Sequence, residues 1–182
     1  MMRAVVWTSL CLSVLGCGSG ATRTESLPPF SLINQSGEAV SAQDLRGYAT
    51  VMSFIFTNCR DVCPLVTAQL ASVQTRAKTE GLDAKVRFVS ITVDPATDTP
   101  DVLKRHATGY GADLTTWHFL TGAPAEIGRL THALGVATGS GNAVGHSNVV
   151  LFVDGGGRIA ERYTGVELDP ERILPKLRRL VH

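Results

Sequence analysis

Phe54-Ile55-Phe56-Thr57-Asn58-Cys59-Arg60-Asp61-Val62-Cys63-Pro64 sets two cysteines on either side of three residues, with a proline directly after the second. The apolar run at 48–56 leads into it as a strand, almost continuously hydrophobic as a strand buried on both faces reads. A helix pattern follows. Val66, Leu70, Val73 and Ala77 recur at spacings of three and four, and Gly81 is its expected stop. Pro64 is expected at the first helical position, where its missing N–H has no partner to lose. Both sulfurs then fall on a strand-to-helix turn, near the positive end of a helix dipole. Such a position lowers a thiol pKa and favours the thiolate, which attacks disulfides and binds soft metals. The stretch narrows the chemistry to metal binding or thiol redox.

Outward from this turn, the pattern predicts strands at 30–34 and 39–41 around a turn at 35–38. Ser41 is placed to cap a short segment at 42–46, closed by Gly47. Beyond the cysteine helix come a buried strand at 85–93 and a loop at 94–100, where Thr99 and Pro100 open a second helix. A strand at 117–120 and a helix at 124–134 follow, and 136–145 reads as loop. A hairpin of 148–153 with 158–163 turns across Asp154-Gly155-Gly156-Gly157, and Asp169 caps a last helix starting at Pro170. This order predicts an α/β thioredoxin-like fold, a mixed central sheet with helices on both faces, plus an N-terminal hairpin.

The chain of 182 residues is 44% apolar with a net charge of +1, enough for one domain plus appendages. It has no basic stripe or aromatic ladder, which argues against nucleic acid as a partner. Arg3 precedes a short apolar run at 4–15 that ends in Val14-Leu15-Gly16-Cys17. This resembles a bacterial lipobox, in which Cys17 is lipidated and becomes the first mature residue. The expected organisation is a lipoprotein signal peptide at 1–16, a flexible tether at 17–29 and a folded domain at 30–182. The mature protein would be exported and membrane-anchored by lipid, facing the periplasm or cell exterior. Of four cysteines, Cys11 lies in the signal, so only Cys59 and Cys63 remain in the domain. A purely structural bridge across so short a loop would stabilise little, because the loop-closure gain grows with length.

Thioredoxins use Cys-x-x-Cys and a cis-proline before the facing strand. This chain has one more residue between its cysteines, and Gly145-His146-Ser147-Asn148 stands where that proline would be. Two thiolates and the His146 imidazole make a soft, three-coordinate donor set; the thiolates select Cu(I), while imidazole also suits Cu(II) and zinc. His106, His118, His132 and His182 read as surface or ordinary structural histidines. Asp94 and Asp98 read as turn and capping residues, and Asp61 as solvated.

The residues at 59–64 are similar to the Cys-Pro-Asp-Ile/Val-Cys-Pro signature of the Sco/SenC copper proteins. Val93-Asp94-Pro95-Ala96-Thr97-Asp98-Thr99-Pro100 resembles that family's Val-Asp-Pro-x-x-Asp-Thr-Pro. Gly145-His146-Ser147 before a strand, Asp154 through Arg158, and Tyr163-Thr164-Gly165 resemble its C-terminal pattern. The resemblance runs from about Phe30 to the end of the chain. It implies a membrane-tethered copper metallochaperone that serves the binuclear copper centre of cytochrome c oxidase subunit II, or another copper-receiving protein. Cys59, Cys63 and His146 would bind the metal as Cu(I), Cu(II) or both. Arg60 departs from the family's proline, and Gly145 from a common aspartate. The rival reading is a thiol-disulfide oxidoreductase acting on the oxidase subunit's cysteines, with Cys59 attacking and Cys63 resolving. A peroxidase is weaker still, because Thr57 lies two residues before Cys59 rather than three.

Overall fold

A computed structural model of the chain describes residues 25–136 and 148–181. The expected signal segment, Cys17, Gly145, His146 and His182 lie outside these residues. The elements in order are β1 (Ser31–Ile33), β2 (Ala39–Ser41), β3 (Ala49–Ile55), α1 (Val62–Thr79), β4 (Val86–Thr92) and α2 (Pro100–Gly109). They continue with β5 (Trp117–Leu120), α3 (Pro124–Ala133), β6 (Val149–Val153), β7 (Ile159–Thr164) and α4 (Pro170–Leu180). The main sheet has the order β5-β4-β3-β6-β7. β3, β4 and β5 run parallel, while β6 and β7 are antiparallel to their neighbours. The mixed sheet with its separate N-terminal hairpin agrees with the fold expected from the sequence.

The apolar run of β3 is explained by its central place. All seven residues are buried, and successive side chains point to opposite faces. Val51 and Ile55 join Phe88, Trp117, Phe119, Val150 and Phe152 beneath α1, α2 and α4. Met52 and Phe54 join Val89, Ile91, Leu120 and Leu151 beneath α3 and the hairpin. Each such side chain contributes roughly 1.5–3 kcal/mol when fully buried. Helices thus cover both faces. A buried polar seam also crosses the sheet: Ser53 Oγ lies 2.9 Å from Ser90 Oγ, which accepts from Trp117 Nε1 at 3.0 Å.

The β1–β2 hairpin closes one edge of the sheet. Ile33 and Thr121 exchange backbone bonds of 2.8 and 2.9 Å, and Gln35 Oε1 accepts from the Phe119 N–H at 2.8 Å. An exposed β5 edge would be a template for pairing with another chain, and this contact covers it. α1 ends where Gly81 adopts φ +72°, so that the Leu82 N–H reaches the Ala77 carbonyl at 2.9 Å. The β6–β7 turn needs Gly157 at φ +76°, and Asp154 Oδ1 accepts there from the N–H groups of Gly156 and Arg158.

Three local features differ from the sequence expectations. α1 starts at Val62, so Pro64 is its third residue and not its first. Proline is tolerated there because the first four helical N–H groups have no partner within the helix. The segment at 42–46 is a run of turns. Asp44 caps Ser41, accepting from its N–H at 2.8 Å and its hydroxyl at 2.6 Å, the reverse of the expected cap. The last residues assigned to the tether are docked: Leu27 N–H bonds Gly157 O, and Ile159 N–H bonds Glu25 O, at 2.9 and 2.8 Å. Backbone pairing with the β6–β7 hairpin outweighs the loop-like composition there. Pro175 sits inside α4, where Ile173, Leu174 and Leu177 bury the helix on α1 and the sheet; tertiary packing outweighs the lost hydrogen bond.

His106 and His118 are half-buried, and Nε2 of the first and Nδ1 of the second are enclosed without a hydrogen-bond partner. Burial lowers the pKa of His106 against the opposing charge of Asp98. Burial and Arg87 lower that of His118, against Glu38 and Asp44. The folded state therefore holds fewer protons than the unfolded state just below the ordinary histidine value. Stability is expected to be full above about pH 6.5 and to fall as pH drops toward the depressed values. Thermal unfolding between about pH 7.5 and pH 5 checks this. His106→Phe, which suits the rings of Tyr110 and Phe119 at 4.9 and 6.1 Å, should flatten the slope. An unchanged slope in both His106→Phe and His118→Gln would remove the histidines from the effect.

Candidate metal centre

The cysteine turn leaves the sheet where three parallel strands end. The Cys59 N–H donates to the Phe56 carbonyl at 3.1 Å, closing a tight turn over 56–59. Asp61 takes the N-cap position of α1 with no side-chain cap bond, and its side chain is exposed as expected. Cys63 lies in the first helical turn and is 2% exposed, whereas Cys59 is only half-buried. No disulfide joins them. The two side chains are hydrogen-bonded to each other, which favours negative charge on Cys59.

The two thiols have opposite electrostatics. Burial alone would push the Cys59 thiol up. The N–H groups of Asp61, Cys63 and Val62, with the Cys63 side chain, outweigh it and bring the thiol below its ordinary value. These amides are the unfilled donors at the start of α1. Burial pushes the Cys63 thiol up to about 12, with a backbone bond to Phe56 acting against it and Cys59 adding to it. The expectation that the dipole favours both thiolates therefore holds for Cys59 and fails for Cys63, where desolvation wins. The pair offers one more readily ionised sulfur near the surface and one sulfur beneath it that holds its proton.

His146 falls outside the described residues. β6 runs antiparallel to β3 with Ser53 opposite Val150, so β6 begins at the same end of the sheet from which β3 leaves for Cys59. Among the described residues, no group of three histidine, cysteine or acidic side chains comes together as a metal cage. The donor chemistry of the cysteine pair suits a soft ion. Of the departures from the family motif, Arg60 is exposed beside Cys59 and takes up no buried space.

One residue was misjudged from the sequence. Asp98 was expected to be a turn or capping residue, but Thr99 caps α2, accepting from the Val102 N–H at 3.4 Å. Asp98 is fully buried. Its carboxyl accepts from the Thr57 N–H at 3.1 Å and from the hydroxyls of Thr57 and Thr92. The available signal was its place in a loop following a buried parallel strand, at the sheet end where sites in α/β folds gather.

The profile of the SCO1/SenC family matches residues 19–182, nearly the whole chain. The chain belongs to the SCO1/SenC family. The solved SCO1/SenC family lipoprotein from Bacillus anthracis str. Ames is 33% identical, with a TM-score of 0.79 covering 88% of this chain and 97% of that one. BsSco is a member of the Sco family of cytochrome c oxidase assembly proteins in which a disulfide switch was identified. It is 32% identical, with a TM-score of 0.77 over 87% of this chain and 95% of its own. Bradyrhizobium japonicum ScoI, solved with copper bound, is 29% identical, with a TM-score of 0.72 over 84% and 98%. No helix among the described residues is long and apolar enough to cross a membrane.

Proposed function

We propose that this Sco protein is a copper metallochaperone that holds the ion between Cys59, Cys63 and His146. It would pass the ion to cytochrome c oxidase subunit II or another copper-receiving protein. The observation that carries the reading is the pairing of a half-exposed Cys59, favoured as thiolate, with a buried Cys63 at the end of the sheet. Copper bound to a relative, and oxidase assembly as the role of another, support it. Cys59 meets the ion first, because its sulfur is the more accessible and the more readily ionised of the two. Cys63 must lose its proton to become the second ligand, so loading releases protons and weakens in acid. Handover runs in reverse, with the acceptor's ligands replacing the exposed sulfur first. Titrating the reduced protein with copper tests this, with about one ion bound and a copper–thiolate absorption band expected.

A second reading is favoured by the same asymmetry of the sulfurs. A low-pKa, accessible thiol beside a buried partner is the arrangement of a nucleophilic and a resolving cysteine. In this reading Cys59 attacks a disulfide on the acceptor, and Cys63 then displaces the mixed disulfide. The acceptor leaves as a dithiol and Cys59–Cys63 as a disulfide.

The domain organisation follows the same proposal: a signal peptide at 1–16, lipid on Cys17, and a tether that ends where Glu25 meets the β6–β7 hairpin. A relative solved as a lipoprotein supports it. Cys17→Ser is expected to move the protein from the membrane fraction to the soluble or unprocessed pool. An unmodified mature N-terminus elsewhere, found by mass spectrometry, would refute the anchor.

A further inference from the structure

We infer that Asp98 is a positioning residue for the two-sulfur site. Through Thr57 it fixes the turn that carries Cys59, and so sets how both sulfurs present themselves to a metal. This deepens the copper reading and rests on it. Asp98 is fully buried, and a buried carboxyl is costly unless hydrogen-bonded. No lysine or arginine pairs with it among the described residues. Two of its three donors come instead from Thr57, the N–H and the hydroxyl, and the third is the hydroxyl of Thr92 at the end of β4. Gripping both groups of one residue restrains its backbone and its side-chain rotamer together.

Thr57 is the second residue of the turn closed by the Cys59 N–H on Phe56 O. Cys59 is the last residue of that turn, and the Phe56 backbone is bonded to Cys63. The turn therefore touches both sulfurs, and Asp98 holds it through Thr57. The loop bearing Asp98 is itself closed. The Asp98 N–H donates to Asp94 O at 2.9 Å, and the Asp94 N–H donates to Thr92 Oγ1 at 2.9 Å. Asp98 touches neither sulfur in any hydrogen bond described, so it acts through Thr57 and not as a ligand.

The test compares full-length Asp98→Asn, Thr57→Ala and Thr57→Ser with a control, Gln74→Leu. Gln74 bonds Asp113 O and Thr116 Oγ1, each at 2.8 Å, two turns or more along α1 from Cys63. The readouts are copper affinity, the copper–thiolate spectrum and the midpoint potential of the Cys59–Cys63 couple, each beside the melting temperature. Asp98→Asn and Thr57→Ala should weaken copper binding by about tenfold, the lower range for lost support of a ligand, and shift the potential. Thr57→Ser should restore parental values. Gln74→Leu should lower the melting temperature and move neither affinity nor potential. If the folded Thr57→Ala protein matches Gln74→Leu in affinity and potential, Asp98 is only structural. Should Asp98→Asn fail to fold, Thr57→Ala decides. If the parent binds no copper, the copper reading fails, while the potential still decides whether Asp98 positions the sulfurs.

Discussion

His146→Ala is expected to weaken copper binding by on the order of tenfold to a hundredfold or more, and to alter the Cu(II)–thiolate absorption. A copper site of this kind needs three donors, whereas disulfide exchange needs only two sulfurs. The variant should therefore still form and reduce its Cys59–Cys63 disulfide. His146 lies three positions before Val149, the first residue of β6, and β6 begins at the end of the sheet where β3 runs into the cysteine turn. Copper titration and spectroscopy of the reduced variant, beside a thiol–disulfide exchange assay, give the answer. A variant that binds copper as the parent does while its exchange collapses would make His146 a redox accessory. The oxidoreductase reading would then replace the chaperone.

The other large effect is that oxidation should abolish loading altogether. Reduced protein should take about one copper ion and the Cys59–Cys63 disulfide none, because the ligands are thiolates. Cys59→Ser and Cys63→Ser should each behave like the oxidised form. The two sulfurs contribute differently on the way. Cys59 is held below its ordinary pKa by the amides at the start of α1, whereas burial takes Cys63 up to about 12. Loading should therefore release the Cys63 proton near neutral pH, measurable as a buffer-dependent heat. Equal copper stoichiometry in the reduced and oxidised states would remove both cysteines from the site.

The fold was readable because its signals are strong and local. The unbroken hydrophobicity of β3 marks a central strand, the spacing of Val66, Leu70, Val73 and Ala77 marks α1, and Thr99-Pro100 and Asp169-Pro170 mark helix starts. The cysteine pair was legible for the same reason, since both residues sit in one motif. What escaped depends on tertiary context. The depth of Cys63 is set by the packing of α1 on the sheet, which spacing does not report. Asp98 reads as a turn or capping residue because aspartate favours such positions; only folding brings it to Thr57, 41 positions earlier. The docking of residues 25–27 on Gly157, Arg158 and Ile159 depends on a hairpin more than a hundred residues away.

β3 is hydrogen-bonded along both edges, to β4 on one side and β6 on the other, and all its side chains are buried. Its amides are expected to exchange with solvent only when the whole domain opens, while the exposed residues Asn58, Arg60 and Asp61, beyond the grip of Asp98 on Thr57, can move locally. The two parts of the site thus keep different clocks. If copper is handed on as proposed, an acceptor would draw Cys59 outward on the timescale of loop motion, about microseconds or faster, without disturbing the strand that carries the turn. Ligand exchange would then require no unfolding, and the emptied protein would return to a receptive shape as quickly as these exposed residues settle back.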